Sequence, residues 1–132
     1  MLVPDTSAVI AALCGRPPSA ALLERLRADS DLAGPHLLDI EFLHALRRLV
    51  LGGQLGQDRA DDARDDFAAL AITRYEHTTL ADRVWELRHG LTAYDATFVA
   101  LAELLDAPLV TFDAGLARAT GHHAAVELLQ GG

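Results

Sequence analysis

Four acidic residues, Asp5, Glu41, Asp95 and Asp113, stand where a chain of this pattern brings carboxylates together. Asp5 closes the apolar run Met1-Leu-Val-Pro4, and Asp113 closes Pro108-Leu-Val-Thr-Phe112. Asp95 follows Thr92, a natural helix cap, by three residues, and Glu41 falls early in the apolar stretch Leu37 to Leu51. Its neighbours at helical spacing are Leu37, His44, Ala45 and Arg48, a mostly apolar setting for an acid. The chain has no lysine, since all 11 of its Lys+Arg residues are arginine. Carboxylates converging without one repel each other, so either their pKa values rise or a cation joins them. Hard oxygen donors suit Mg²⁺ or Mn²⁺. One or two such ions can orient a water for attack on a phosphodiester and stabilise the leaving oxygen. Each acid also has a plainer account. Asp5 can cap a helix, Asp95 can complete a capping box with Thr92, Asp113 can make a turn, and Glu41 can pair with His44 or Arg48. Two strand-end acids and two first-turn acids together favour a shared site.

The elements needed to hold that site are written in the same residues. Met1–Pro4 reads as a buried strand, and Thr6 and Ser7 as caps for a helix ending at Gly15. Pro17-Pro18 opens a second helix with Leu22, Leu23 and Leu26 on one face. Leu32–Pro35 is a short strand or link. Leu37–Leu51 is a helix stopped by Gly52-Gly53, and Gln57–Leu70 is a polar helix. A strand over Ala71–Tyr75 precedes a helix capped by Thr78 or Thr79 and ended by Gly90. Thr92 caps Ala93–Leu105. Pro108–Phe112 is the second clear strand, Ala114–Ala119 one or two helical turns, and Ala125–Leu129 a final strand. This alternation predicts an α/β fold with a parallel sheet covered on both faces, formed by residues 1–132 as a single domain. Ligands of such sheets bind beyond the strand carboxyl ends, where strand order reverses. If the strands ending at Asp5 and Asp113 are neighbours, both acids enter one crevice.

Composition removes competing classes. The net charge of −8 argues against a general nucleic-acid binder with a broad basic surface. It also turns into a clue, because metal seated on the acids lets a polyanion approach. Without lysine, Walker-type phosphate loops, Schiff-base enzymes and receiver domains drop out. Cys14, the single cysteine, permits no internal disulfide and no cysteine-based zinc site. No apolar run reaches membrane length, and the N-terminus lacks a signal-peptide pattern, so a cytoplasmic protein is expected.

Four segments carry a resemblance. Val3-Pro-Asp5-Thr-Ser-Ala-Val, Asp39-Ile-Glu41-Phe-Leu-His-Ala-Leu-Arg-Arg, Leu91-Thr-Ala-Tyr-Asp95-Ala-Thr-Phe-Val-Ala-Leu-Ala and Leu109-Val-Thr111-Phe-Asp113-Ala-Gly-Leu resemble, in order and spacing, the VapC-type toxins of the PIN-domain ribonucleases. The resemblance covers essentially the whole chain. It implies a three-layer α/β/α PIN-like domain, Mg²⁺- or Mn²⁺-dependent cleavage of RNA (often tRNA or ribosomal RNA), a homodimer, and a cognate VapB-type antitoxin. It further implies that Asp5 and Asp95 are the principal metal ligands, Glu41 the third acid and Asp113 a more variable fourth. Thr6, Ser7 and Thr111 resemble hydroxyls that steady the acids or a water. Pro4 departs from the pattern: it precedes Asp5 where a β-branched or apolar strand residue is more usual, and, lacking an N–H, is expected to shift the backbone there slightly. An antitoxin-binding module with vestigial acids is the alternative reading.

The remaining polar and aromatic residues read plainly. His122-His123 is expected in a solvated tail, and Asp58–Asp66 on a solvated helix face. Trp85 is expected in the core or on a dimer surface, and Cys14 buried. Arg47 and Arg48 suit either phosphate or acidic partners, or a surface ion pair.

Overall fold

The computed structural model describes residues 1–15, 19–28 and 31–130. Five parallel strands alternate with seven helices among these residues. They are β1 (Val3–Pro4), α1 (Thr6–Cys14), α2 (Ala20–Ala28), β2 (Leu32–Pro35), α3 (Leu37–Leu51) and α4 (Gln57–Ala69). Then come β3 (Ile72–Tyr75), a 3₁₀ turn (Thr78–Leu80), α5 (Ala81–Glu86), α6 (Ala93–Leu105), β4 (Leu109–Thr111), α7 (Ala114–Arg118) and β5 (Val126–Leu128). The proposed opening of α2 at Pro17-Pro18 and the side chain of Leu23 lie outside the described residues. Leu22 of that helix is fully buried.

β1 pairs with β4, β4 with β5, and β2 with β3, all parallel. A bridge between Leu2 and Leu32 joins β1 to β2. Strand order is therefore β3-β2-β1-β4-β5, and it reverses between β1 and β4. The pleat sends alternate residues to opposite faces. Val3, Ala33 and Leu109 share a core with Phe98, Val99 and Leu101 of α6, which lies against β1, β2 and β4. Leu2 and Val110 pack instead with Ala8 of α1 and Leu22 of α2. Helices thus cover both faces of the sheet, the three-layer α/β/α arrangement expected from the alternation of elements. Pro4 does not break the ladder to β4, because Val3 N and Asp5 N donate to Pro108 O and Val110 O at 2.9 and 3.0 Å. The missing N–H of Pro4 falls on the side of β1 whose pairing with β2 is limited to the Leu2–Leu32 bridge. The backbone N–H of Asp5 stays bonded to β4.

Helix α3 brings Glu41 to the same end of the sheet. Its apolar stripe of Leu38, Phe42 and Leu46 is buried, with Phe42 stacked on Phe67 of α4 at 4.2 Å between ring centroids. Gly34 in β2 permits the close approach, since a Cβ there would lie 2.8 Å from Leu38 Cδ2. Arg74 of β3 clamps the first turn of α3 through two bonds of 2.8 Å to the Asp39 carboxylate. Those bonds hold the Asp39 carboxyl below its ordinary value.

Several local expectations are corrected. Of the caps open to α1, Asp5 and not Thr6 or Ser7 takes the place, accepting from Ala8 N at 3.0 Å. Neither Thr78 nor Thr79 caps the following helix: the chain enters α5 through the 3₁₀ turn, and Thr79 Oγ1 donates back to Glu76 O. Cys14 is only half-buried. Trp85 is 67% exposed, which removes the core option, and Arg88 lies over its ring. His123 is exposed as expected, but the segment is not loose: His122 Nδ1 accepts from Ala124 N, and His123 N donates to Glu103, which Arg83 of α5 also grips. The acidic face of α4 is exposed as expected, with Ala60, Ala63 and Phe67 turned inward.

Candidate active site

The reversal of strand order places Asp5 and Asp113 side by side, one residue past β1 and two past β4. Asp5 is 6% exposed. Its Oδ1 accepts from Ser7 Oγ at 2.6 Å and from Ala8 N, and its Oδ2 accepts from Thr111 Oγ1 at 2.5 Å. Burial pushes the Asp5 carboxyl above its ordinary value; bonds from Ser7, Thr111 and Ala8 pull it down, and the charge of Asp113 pushes it up again. The two hydroxyls are fixed in turn. Ser7 Oγ accepts from Phe112 N at 3.0 Å, and Thr111 Oγ1 accepts from Asp113 N at 2.9 Å. Thr6 Oγ1 donates to Glu41 Oε1 at 2.7 Å, tying α1 to α3 across 35 residues. Glu41 therefore bonds Thr6 rather than His44 or Arg48. Asp113 is exposed and caps α7, accepting from Gly115 N and Leu116 N through Oδ1.

Asp95 stands in the first turn of α6, which Thr92 caps by accepting from Asp95 N at 3.2 Å. No capping box forms, because the Asp95 carboxylate accepts no hydrogen bond among the described residues. Its pKa rises to about 6, through burial first and then through the charges of Asp113, Asp5 and Glu41. Those three charges report the convergence: each of the other acids is near enough to make ionising Asp95 costly. No arginine or histidine forms an ion pair with any of the four among the described residues. The structure thus gathers Asp5, Glu41, Asp95 and Asp113, together with Thr6, Ser7 and Thr111, at one end of the sheet.

The donor set suits a hard divalent cation, with one qualification from geometry. Among the described residues, no three carboxylate, imidazole or thiol groups close around a single point. Mg²⁺ commonly takes only one or two carboxylates and keeps several waters, so a loose ring of acids with unspent oxygens fits it. The unspent charge is on Asp95 above all.

Sequence reasoning alone could not pair Thr6 with Glu41, nor Arg74 with Asp39, because both contacts span 35 residues. Tyr94, within the segment that carries Asp95, stands exposed in the first turn of α6, where the sequence pattern assigns it no role of its own.

The arrangement can be set beside known proteins. A family model for the PIN domain matches residues 2–121. The chain belongs to the PIN-domain family. Within it the chain is of the VapC type. Ribonuclease VapC1 of Mycobacterium tuberculosis is 43% identical to it over 97% of each chain. Ribonuclease VapC9 of the same organism is 43% identical over 86% of each. Among solved structures, VapBC2 from Rickettsia felis bound to a promoter DNA fragment superimposes with a TM-score of 0.73 at 13% identity, covering 98% of both chains. PAE2754 from Pyrobaculum aerophilum gives a TM-score of 0.67 at 24% identity, over 95% of this chain and 81% of that one. At such identities these two structures speak for the PIN fold alone.

Proposed function

We propose that residues 1–132 form one PIN domain acting as a metal-dependent endoribonuclease, the toxin of a toxin–antitoxin pair. The observation that carries the reading is the convergence on Asp95, whose carboxyl is pushed to about 6 by burial and three neighbouring acids, with no cation among the described residues paired to offset them. Asp5 and Asp95 are the residues assigned to hold Mg²⁺ or Mn²⁺, with Glu41 and Asp113 assisting directly or through water. When bound, such an ion supplies a water activated for attack on the phosphodiester and charge stabilisation for the leaving oxygen.

The chain's own residues do the positioning. Ser7 and Thr111 hold both Asp5 oxygens, which fixes the direction of its remaining lone pairs. Thr6 holds one Glu41 oxygen and leaves the other for a water proton. Asp113, anchored by the backbone of α7, keeps its Oδ2 free of those backbone bonds. RNA of the tRNA or ribosomal class is the substrate proposed, with arrest of translation as the consequence.

An antitoxin and a second copy of the chain are the proposed protein partners. A toxin–antitoxin complex from Klebsiella pneumoniae, whose fold the chain shares, supports the first. A hollow between α3 and α4, lined by exposed Leu43 and Leu51 and by Arg47, Arg64 and Asp61, suits an apolar segment carrying acids that meet the two arginines. No helix among the described residues is long and apolar enough to cross a membrane. The test is induction in a host without the antitoxin. The wild-type chain is expected to arrest growth and leave new RNA 5′ ends, and Asp5→Asn to do neither. Arrest by Asp5→Asn equal to wild type sinks the reading.

A further inference from the structure

Beside the carboxylates, α3 and the first turn of α6 enclose an open hollow of about 410 Å³, lined by Leu37, Ile40, Glu41, His44 and Tyr94. Its residues are unlike those of the acid cluster. Leu37 and Ile40 give an apolar wall, and Ile40 is 65% exposed. Tyr94 is 61% exposed, and among the described residues its ring stacks on nothing and its hydroxyl bonds nothing. Yet its neighbour in the chain is Asp95, and the hollow shares Glu41 with the acids. An exposed aromatic ring flanking a nucleolytic centre is what an unstacked base would meet first.

We propose that this hollow takes one nucleobase of the RNA, next to the cleaved bond, with Tyr94 as its stacking platform. The inference rests on the ribonuclease reading and adds to it a residue that sets affinity and site preference. Single-stranded RNA is recognised by bases splayed onto aromatic side chains and bonded at their edges. Tyr94 offers the ring face, Leu37 and Ile40 the opposing apolar surface, and His44 a donor and acceptor toward the base edge. Size favours a base. At about 410 Å³ the hollow lies at the low end of small-ligand sites, about 300–1,000 Å³. Continuity favours it too, because a strand whose phosphate sits at the acids must put a flanking base within reach of Glu41's helix.

The test uses the full chain, freed of antitoxin, with Mg²⁺ or Mn²⁺ and a single-stranded RNA that it cleaves. Stacking on one aromatic ring sets the expected loss: Tyr94→Ala raises KM about 5- to 150-fold with kcat little changed, while Tyr94→Phe stays near wild type. An abasic nucleotide at one position flanking the cleaved bond costs the wild type the same factor and costs Tyr94→Ala nothing further. Mass in solution is measured alongside by light scattering. Unchanged KM in Tyr94→Ala overturns the inference while leaving the ribonuclease reading intact. So does a halved mass that accompanies the rise in KM, which assigns the ring to contact between copies. If the wild-type chain cleaves no RNA with either metal, the ribonuclease reading itself fails.

Discussion

Asp95→Asn is expected to make the metal-free protein more stable at neutral pH, although it removes a residue of the proposed active site. The Asp95 carboxyl rises from an ordinary 3.8 to about 6 on folding. Holding it ionised therefore costs the native state up to about 3 kcal/mol, at 1.36 kcal/mol per pH unit. The side chain is partly open to solvent, and screening reduces the expected gain to about 1–2 kcal/mol, or roughly 3–8 °C in Tm for a domain of this size. The sign follows from proton binding. The native state holds the proton more tightly than the unfolded chain, so stability falls as pH climbs from 3.8 through 6, and the full penalty stands above 6. Asparagine cannot ionise and escapes it. Urea unfolding in EDTA at pH 7.5 should show the variant ahead by that margin, with the lead falling to about half at pH 5. Excess Mg²⁺ should then raise the midpoint of the wild type more than that of the variant, because binding to the native state alone stabilises it. A variant that is no more stable than wild type at pH 7.5 in EDTA, or a lead independent of pH, refutes the claim that the four charges crowd one pocket.

Other consequences follow from single contacts. Thr111→Val keeps the shape but takes the buried hydroxyl from Asp5 Oδ2, costing about 1–3 kcal/mol in denaturant unfolding and lowering RNA cleavage more than Thr111→Ser does. Phe42→Ala removes a fully buried ring stacked on Phe67 and should cost about 3–5 kcal/mol by the same assay. Arg74→Met frees the first turn of α3 from β3; the stability lost should shrink in acid, since Asp39's lowered carboxyl contributes above its unfolded value and loses that contribution as pH falls through its folded one. Thermal midpoints at pH 7 and pH 3.5 measure that difference.

What could be read in the residues depended on how local its cause was. α3 runs from Leu37 to Leu51 as expected, because a strong apolar period ends at two glycines and Gly53 adopts a positive φ of 78°. The Thr92 cap and the strands at Val3 and Leu109 were equally legible. The cap of α1 was not, because Asp5, Thr6 and Ser7 are all good caps and only the fold decides among them. Of the two places open to Trp85, the core fails for a different reason: its size favours burial, but α5 is short and presents it to solvent under Arg88. The convergence of the acids was conditional on β1 and β4 being neighbours, a long-range fact that no period in the sequence encodes. Once that pairing is given, the side chains of Asp5 and Asp113 have little freedom to lie elsewhere.

The central claim is that these carboxylates cut RNA with a divalent metal. Its most direct test is cleavage of a single-stranded RNA by the purified chain, first stripped with EDTA and then titrated with Mg²⁺ or Mn²⁺, beside Asp5→Asn. Cleavage that is absent in EDTA, returns with metal and falls at least about 100-fold in Asp5→Asn is the result expected. Cleavage that persists in EDTA, or that Asp5→Asn retains in full, contradicts the account.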